Sequence, residues 1–515
     1  MTGTAATPAP GVRSALLDKL ARLALESPNA PAFLVATGDR YISITRGQAM
    51  RDVDAVARSM RDVYGEGATV ALLGENSYEW ITCHLACLFA GTVIVPLDTS
   101  LSPAEIASRI CFTGAKLVVY TAQNAAKIRE AAKLTAGLKV DYVGFGSAAA
   151  EKFVVEGRKA LSAGAPSLLL EKRDESRTAS IVFTSGTTST PRGAELSLAS
   201  FSAFPEFASS VLPAEQGMHS LMALPLHHIF GIASTYFLLS SGVSLGICPD
   251  FRRLFDYVWR FRADCLFLVP ALAEILAQKA IAKRATGSGS RYDEDDGPFP
   301  VKWLLTGGAP LMRRTYENLQ SLGVCVLEGY GLTETCSLYS LSPYADPRPG
   351  TAGLAAANCE TALSPDGELL IRGPCVMKGY YREPEATARV LSPDGWLRTG
   401  DSGAISDDGY VTVSGRRNRS IVLSSGKKVA PEELEREISA LPGVLEVLVS
   451  GEEGSRAIVA EIYATVPKEI VARGITMLNA RLPIYKRVRK AVFRDTPFER
   501  TASGKIRVDR RNGAK

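Results

Sequence analysis

Short apolar runs bounded by turn residues recur along the first four hundred residues, and helical patterns separate them. Five such runs have the length and composition of buried strands: residues 69–73, 93–97, 116–120, 265–269 and 303–305. Because each run is continuously apolar rather than alternating, both faces of its strand should be covered by protein. We therefore predict an α/β fold with a large N-terminal domain of mixed sheets flanked by helices.

The pattern changes between residues 360 and 415, where short strand-like runs are separated by Asp-Gly dipeptides. These dipeptides are Asp366-Gly367, Asp394-Gly395 and Asp408-Gly409, and they are strong hairpin signals, so we expect a small antiparallel β region here. After residue 419 the pattern is mixed again, with helices predicted near 431–441 and 476–482. At 515 residues the chain is too long for one core, and we predict an N-terminal domain over 1–417 and a small α+β domain over 418–515. The segment 285–300, rich in Gly, Ser and acids, is expected to be an exposed loop.

Cysteine and histidine usage limits the classes that the chain can belong to. Nine cysteines, an odd number without a Cys-x-x-Cys pair, indicate a reduced, cytoplasmic protein. Four histidines are too few and too poorly spaced for a His/Cys zinc site: His84, His219, His227 and His228. The N-terminus lacks a secretory pattern and no run approaches the roughly 18 to 20 apolar residues of a spanning helix. We expect no transmembrane segment and leave peripheral membrane contact open.

Positive charge is concentrated at the C-terminal end. From Arg481 to Lys515 there are twelve Lys or Arg and three Asp or Glu, a local excess of nine against +5 for the whole chain. Composition leaves three interpretations open: nucleic-acid binding, a solvated surface, or closure over a polyanionic small ligand.

The segment TSGTTSTPRG, residues 184–193, follows an apolar strand-like run and combines hydroxyls, glycines and one cation. A Walker loop would end in Gly-Lys-Ser/Thr and open a helix, but Pro191 and Arg192 stand at that place here. Hydroxyls and backbone N–H groups can still wrap phosphates as an anion-binding nest. Taken alone, the segment is more consistent with a flexible Ser/Thr loop.

Seven further segments follow in order: LPLHHIFG (224–231), LLTGGAPL (304–311), LEGYGLTET (327–335), GELLIRGPCVMKGYY (367–381), DGWLRTGD (394–401), GRRNRSIVLSSGKKVAPEELE (415–435) and RTASGKIR (500–507). Together with TSGTTSTPRG they resemble the adenylate-forming, AMP-binding superfamily. That superfamily comprises acyl-CoA synthetases, peptide-synthetase adenylation domains and beetle luciferases. The resemblance extends from about residue 30 to residue 510. It implies ATP and a thiol such as CoA as reactants, with Mg²⁺ as the metal cofactor.

The resemblance implies a set of residues that contact ATP or AMP: Thr184, Ser185, Gly186, Thr187, Thr188, Arg192, Gly307, Gly308, Ala309, Pro310, Glu328, Gly329, Tyr330, Gly331, Thr333, Asp401 and Arg416. Within this set Tyr330 is expected to stack on adenine, and Asp401 to accept the ribose hydroxyls. Two positions depart from the usual pattern, since relatives have Gly where this chain has Ser189 and Lys where it has Arg192. Arg192 keeps the positive charge and can donate two hydrogen bonds to one phosphate. Ser189 lacks the backbone freedom that glycine would have at that position.

The catalytic residues implied by the resemblance are Lys505, His228, Thr333 and Glu334, of which Glu334 would also be the Mg²⁺ ligand. Lys505 would stabilise the charge that develops when a carboxylate attacks the α-phosphate. The C-terminal domain would then rotate about the hinge residue Arg419 and present a CoA-binding loop. That loop contains Ser425, Gly426 and Lys427. Relatives usually have Asp or Lys at the hinge, so Arg419 and the preceding Asn418 are departures.

The residues after His228 bear on the identity of the acid. Amino-acid-activating relatives carry an Asp there to pair with the α-ammonium, but this chain has Ile229 and Phe230, which favours an acid without an amino group. The segments look most like the medium-chain or long-chain fatty acyl-CoA synthetase branch, in which His228 would gate the acyl carboxylate. A hydrogen-bonded histidine pair at a strand end is the alternative for His227 and His228.

We therefore predict a carboxylic acid:CoA ligase that proceeds through an acyl-adenylate and releases pyrophosphate. The alternatives are an acyl-AMP ligase that loads a phosphopantetheine carrier protein, a non-catalytic nucleotide-binding relative and, more remotely, a luciferase-like oxidase. The basic C-terminal end then fits a domain that closes over ATP, pyrophosphate and CoA, and nucleic acid is not an expected partner.

Overall fold

The computed structural model describes residues 15–37, 40–184, 191–248, 250–286, 298–419, 421–423, 428–451, 457–499 and 506. The strands in these ranges are β1 (Pro31–Thr37), β2 (Arg40–Thr45), β3 (Thr69–Leu73), β4 (Val93–Leu97), β5 (Leu117–Tyr120), β6 (Asp141–Gly144), β7 (Thr178–Phe183), β8 (Gly193–Ser197), β9 (His219–Met222), β10 (Ser244–Ile247), β11 (Cys265–Leu268), β12 (Trp303–Gly307), β13 (Cys325–Leu332), β14 (Ser337–Leu341), β15 (Leu354–Ala355), β16 (Glu360–Leu363), β17 (Glu368–Arg372), β18 (Gly379–Tyr380), β19 (Leu397–Ile405), β20 (Val411–Arg416), β21 (Ile421–Val422), β22 (Lys428–Val429), β23 (Val444–Gly451), β24 (Ile458–Ala464) and β25 (Val488–Arg494).

The α-helices in the same ranges are α1 (Ala15–Glu26), α2 (Arg46–Tyr64), α3 (Tyr78–Ala90), α4 (Pro103–Thr113), α5 (Ala125–Leu134), α6 (Ala148–Ser162), α7 (Leu198–Val211), α8 (Ile229–Ser240), α9 (Leu254–Arg260), α10 (Pro270–Thr286), α11 (Arg313–Ser321), α12 (Pro384–Val390), α13 (Pro431–Ser439) and α14 (Lys468–Arg481). None of the described helices is both long enough and apolar enough to cross a membrane.

Two large mixed sheets form the N-terminal part. One has nine strands in the order β15-β14-β13-β12-β11-β9-β10-β1-β2, and the other has seven in the order β18-β8-β7-β4-β3-β5-β6. The central strands of both sheets are parallel. Helices α3 and α8 are buried over almost their whole length in the largest hydrophobic core. Helices that are apolar all round lie inside a protein rather than on its surface. Sheets with parallel central strands, packed with such helices, confirm the predicted α/β fold.

Two smaller sheets follow along the chain. Strands β16-β17-β19-β20 form the predicted antiparallel sheet, with Asp366-Gly367 and Asp408-Gly409 in its hairpin turns. Asp394-Gly395 instead lies in the turn between α12 and β19, which an isolated bridge from Leu391 to Leu397 closes. Strands β23-β24-β25 form a three-stranded sheet that shares a separate hydrophobic core with α13 and α14.

The five predicted buried strands are all present: β3 and β4 have the predicted ends, and β5, β11 and β12 each differ at one end by one or two residues. Helix α14 begins at Lys468, eight residues before the predicted start at 476. The predicted loop at 285–300 begins within α10, which continues to Thr286, and residues 287–297 of it lie outside the described part of the chain.

Candidate functional site

The site residues predicted from the sequence follow the carboxyl ends of strands in both large sheets. Thr184 follows β7, Gly308 follows β12 and Thr333 follows β13, while the two histidines follow β9. Parallel strands end at the same edge of a sheet, and ligands of open α/β sheets bind at that edge. Within each sheet the topology therefore brings together segments that are far apart in the chain.

The serine- and threonine-rich segment connects β7 to β8, and its two ends are fixed. The Thr184 N–H donates to the Arg192 carbonyl oxygen at 2.8 Å, and the Arg192 N–H lies 3.4 Å from Thr184 Oγ1. The Arg192 guanidinium contacts Glu383 at 3.3 Å and lies 5.5 Å from the centre of the Tyr380 ring. Four predicted phosphate-binding residues of this segment lie outside the described part of the chain: Ser185, Gly186, Thr187 and Thr188.

Glu334 lies in a single 3₁₀ turn, Thr333–Thr335, directly after β13. Its carbonyl oxygen accepts the Met377 N–H at 2.8 Å, and its carboxylate accepts the Tyr380 hydroxyl at 2.7 Å. Burial, together with the charge of Glu334, raises the pKa of Tyr380, so this hydroxyl remains a donor. A carboxylate held in this way presents hard oxygen to a cation, and it therefore fits the predicted Mg²⁺ ligand.

A second carboxylate, Asp401, is only 3% exposed and lies on β19. It accepts the Tyr330 hydroxyl at 2.5 Å, and the Arg416 guanidinium lies 3.1 Å from its other oxygen. Burial and the charge of Asp401 raise the pKa of Tyr330 well above its usual value. The Tyr330 ring packs edge-on against Tyr339, with ring centres 5.5 Å apart. The structure thus joins three residues that the resemblance assigns to ATP or AMP binding.

Two glycines of the site, Gly329 and Gly331, allow close packing between strands of the same chain. A Cβ atom at Gly331 would lie 1.8 Å from the Ser337 carbonyl oxygen, and one at Gly329 would collide with Leu338 at 2.7 Å. The close approach at these two positions is thus made by β14 of the same chain. Gly308 differs, because its φ of 84° lies in the left-handed region and nothing lies within 4 Å of its Cβ position. It begins an exposed turn that includes Ala309 and Pro310.

Glu328, another predicted nucleotide contact, accepts the Gly350 N–H at 3.0 Å. Burial raises the pKa of its carboxyl group, and the backbone N–H groups of Gly350 and Leu311 oppose that rise. In this structure Glu328 therefore connects β13 to the loop before β15.

His228 is the N-cap residue of α8, and its N–H donates to the Pro225 carbonyl oxygen at 3.1 Å. The ring of His227 lies next to it, with ring centres 4.3 Å apart. Asp98, which follows β4, comes within 3.6 Å of His227 Nε2. Burial, followed by the charge of His228, lowers the pKa of His227 to about 4, so His227 is neutral at physiological pH.

The predicted hinge residue Arg419 and its near neighbour Arg417 form ion pairs with different parts of the chain. Arg417 pairs with Glu368 at 2.9 Å and with Asp366, both on or next to the four-stranded sheet. Arg419 pairs with Glu432 at 3.0 Å and with Glu435 at 2.6 Å, both on α13. The division at 417/418 stays a prediction, and the predicted residues Ser425, Gly426, Lys427 and Lys505 lie outside the described part of the chain.

Three residues with polar contacts at the site were missed in the sequence: Tyr380, Glu383 and Asp98. Tyr380 lies within the quoted segment GELLIRGPCVMKGYY, but nothing in that segment shows that its hydroxyl reaches Glu334. Glu383 and Asp98 are single acids in ordinary turn sequences, and their partners are known only from the fold.

Comparison with known proteins gives consistent results. The sequence model of a family described as AMP-binding enzyme matches residues 20–381. The long-chain-fatty-acid–CoA ligase FadD13 of Mycobacterium tuberculosis is 29% identical over 511 residues, which are 95% of this chain and 96% of that protein. The indoleacetate–CoA ligase of Aromatoleum aromaticum is 32% identical over 350 residues, 64% of this chain and 66% of that protein. Among solved structures, ATP-bound MatB from Rhodopseudomonas palustris has a TM-score of 0.80 at 27% identity and covers 96% of this chain and 97% of its own.

Proposed function

Because the chain belongs to the family of AMP-binding enzymes, we propose that it is an ATP-dependent, AMP-forming acid:CoA ligase whose acid is a fatty acid. Two tyrosine–carboxylate hydrogen bonds at the segment LEGYGLTET carry this proposal. Tyr330 donates to Asp401, and Glu334, four residues after Tyr330, accepts from Tyr380. The same segment would thus bind the nucleoside of ATP at one end and the metal on its phosphates at the other.

The first half-reaction is an in-line displacement at the α-phosphate of ATP. A carboxylate oxygen of the acid forms the new bond to phosphorus, and the bond to the departing pyrophosphate breaks. Thr333 would donate a hydrogen bond to the α-phosphate, and Glu334, positioned by Tyr380, would hold the Mg²⁺ that neutralises the phosphates. Arg192 and the hydroxyls of residues 184–188 would contact the pyrophosphate end, and Lys505 would stabilise the developing charge.

The second half-reaction transfers the acyl group to a thiol. The CoA sulfur attacks the acyl carbonyl carbon, the bond to AMP breaks, and the thiol proton leaves to solvent. We propose that residues 418–515 rotate as one domain about Arg419 between the two steps, so that Lys505 withdraws and residues 425–427 approach. Arg417 pairs with Glu368 and Arg419 pairs with Glu435, and this change of partner within two residues supports a hinge at Arg419.

The apolar start of α8 favours an acid without an amino group. His228 is followed by Ile229, Phe230 and Gly231, and none of these three residues offers a carboxylate to an ammonium group, which costs several kcal/mol to bury unpaired. The likeness to FadD13 over nearly the whole chain supports a fatty acid within that class.

The test is incubation of the purified protein with ATP, Mg²⁺ and acids from C6 to C18, with and without CoA. Arylacetic acids complete the panel because of the indoleacetate–CoA ligase relative. We expect pyrophosphate release with fatty acids and acyl-CoA only when CoA is present. A thioester formed only on a phosphopantetheine carrier protein would select the carrier-loading alternative. ATP binding without pyrophosphate release from any acid would refute ligase activity.

A further inference from the structure

The fold brings Asp98, which follows β4 of the seven-stranded sheet, together with His227 and His228, which follow β9 of the nine-stranded sheet. One ligand atom from each residue lies within 4.8 Å of the other two. Among the residues that the structure describes, this is the one group of three His, Cys, Asp or Glu side chains that meets so closely. The sequence concealed it because Asp98 is far from the histidines along the chain.

Hydrogen bonds hold the backbone just before His227 and one carboxylate oxygen of Asp98. The Asn76 side chain donates to the Leu224 carbonyl oxygen at 2.7 Å and accepts the Leu226 N–H at 3.0 Å, which holds the loop just before His227. On the other side, Asp98 accepts the Ser100 N–H at 2.7 Å. Ligands held in place before an ion arrives lose little conformational freedom when it binds.

His227 Nε2 is buried and has no hydrogen-bond partner among the described residues. It faces Asp98 Oδ1 at 3.6 Å, which is too long for a hydrogen bond. In a tetrahedral zinc site with bonds of about 2.1 Å, neighbouring ligand atoms are about 3.4 Å apart. The separation therefore suits two ligands of one ion, and such an ion would also satisfy a buried nitrogen that is costly to leave unpaired.

We propose that Asp98, His227 and His228 bind one divalent transition-metal ion, with Zn²⁺ as the best-matched metal, at a site separate from the Mg²⁺ position at Glu334. Two imidazole nitrogens and one carboxylate oxygen suit Zn²⁺ and Co²⁺, whereas Mg²⁺ prefers oxygen ligands alone. The side chains of Asp98 and His227 are 25% and 11% exposed, so the ion reaches the site from solvent. Three protein ligands leave a fourth position for water or for an anionic ligand.

Zinc at this site has a functional consequence that rests on the proposed function. His228 is the residue proposed to lie beside the carboxylate of the acid, and a metal ligand cannot also gate that carboxylate. Bound Zn²⁺ therefore raises the KM for the fatty acid and leaves the KM for ATP unchanged.

Metal binding is measured on the full-length, metal-free protein by Zn²⁺ competition with a chromophoric chelator and by the visible spectrum of Co²⁺. We expect one ion per chain. Asp98→Asn and His227→Gln should each weaken Zn²⁺ binding by at least about tenfold, since even outer-shell partners of metal ligands are worth roughly 10- to 100-fold. Zn²⁺ should also raise the thermal midpoint of the wild type and not of these variants, which separates lost ligation from lost folding.

The matched control is Cys359→Ser/Cys375→Ser. The two sulfur atoms lie 3.3 Å apart, so this thiol pair is the competing site for a soft metal. The control should bind Zn²⁺ as the wild type does. Co²⁺ bound to the wild type, which keeps both thiols, should show no thiolate charge-transfer band. Absence of stoichiometric Zn²⁺ binding, or binding lost in the cysteine variant and kept in Asp98→Asn, would overturn the site. Stoichiometric binding without any change in the KM for the acid would overturn only the competition with substrate.

Discussion

Replacing Tyr380 by Phe removes one oxygen atom from the site and tests whether Glu334 is a positioned metal ligand. The Tyr380 hydroxyl donates to Glu334 Oε1 at 2.7 Å, and both residues are half-buried. A hydrogen bond to a charged group contributes about 1.5 to 3 kcal/mol, which corresponds to about 10- to 100-fold in an equilibrium constant. We expect the Mg²⁺ concentration for half-maximal adenylation to rise by that factor in Tyr380→Phe.

The assay is acid-dependent pyrophosphate exchange, measured over a Mg²⁺ titration. Thioester formation from supplied acyl-adenylate and CoA should stay unchanged, because the pyrophosphate-bound metal acts only in the first half-reaction. Since burial and Glu334 raise the pKa of Tyr380, the hydroxyl donates throughout the assay range. The ratio of wild type to variant should therefore be constant between about pH 6 and pH 9.

Tyr381→Phe is the matched control. The Tyr381 ring packs edge-on against Phe112, with ring centres 5.7 Å apart, so the substitution keeps its packing. The reasoning is wrong if both variants change the Mg²⁺ dependence equally, or if Tyr380→Phe slows both half-reactions to the same extent.

Three further variants address the lysine, one buried histidine and the predicted hinge. Lys505→Ala should slow acyl-adenylate formation by about 10² to 10³ and spare thioester formation from supplied acyl-adenylate; equal loss in both steps would refute this division of roles. Burial lowers the pKa of His84 to about 3, so between pH 6.5 and 3 the unfolded chain binds a proton that the folded chain excludes, and stability falls as the pH falls. His84→Gln should remove about 2 kcal/mol of the stability difference between pH 7 and pH 5, measured by urea unfolding; an unchanged difference would contradict it. Arg419→Met leaves Glu432 and Glu435 without their cation and should cost about 1 to 3 kcal/mol, seen as a lower thermal midpoint that Arg419→Lys partly restores; an unchanged midpoint would show that the pairs do not stabilise the fold.

Local features of the sequence predicted local features of the fold. Runs such as Thr69–Leu73 and Val93–Leu97 form strands at the expected positions because a continuously apolar run, ended by turn residues, fits a strand covered on both faces. The hairpin turns at Asp366 and Asp408 were predicted for a similar reason, since the turn type depends on two adjacent residues.

Helix α14 shows where local preference fails. Gly474 and neighbouring β-branched residues disfavour a helix over 468–475, yet Val471 and Ile475 are buried in the core and the helix forms. The side chain of Leu441, in the turn after α13, lies 3.0 Å from the Cβ position of Gly474, so this close packing favours glycine there.

The contacts of the site depend on the strand order of the sheets, which the hydrophobic pattern of the sequence does not show. The pairing of Tyr380 with Glu334, of Arg192 with Glu383 and of Asp98 with His227 joins segments whose neighbourhood is set by strand order. A hydrogen bond or an ion pair adds no periodicity to the sequence, so these partners were not predictable from one chain.

The different ion-pair partners of Arg417 and Arg419 have a mechanical consequence. Because Arg417 is held by Glu368 and Arg419 by Glu435, the proposed rotation would be taken up by the few backbone dihedral angles at Arg419 and the residue before it. A hinge with so few torsional degrees of freedom would follow a nearly fixed axis and lose little entropy at either end of its path. The relative stability of the two end orientations would then be decided by surfaces remote from the hinge, so substitutions far from Arg419 would set the time spent in each orientation.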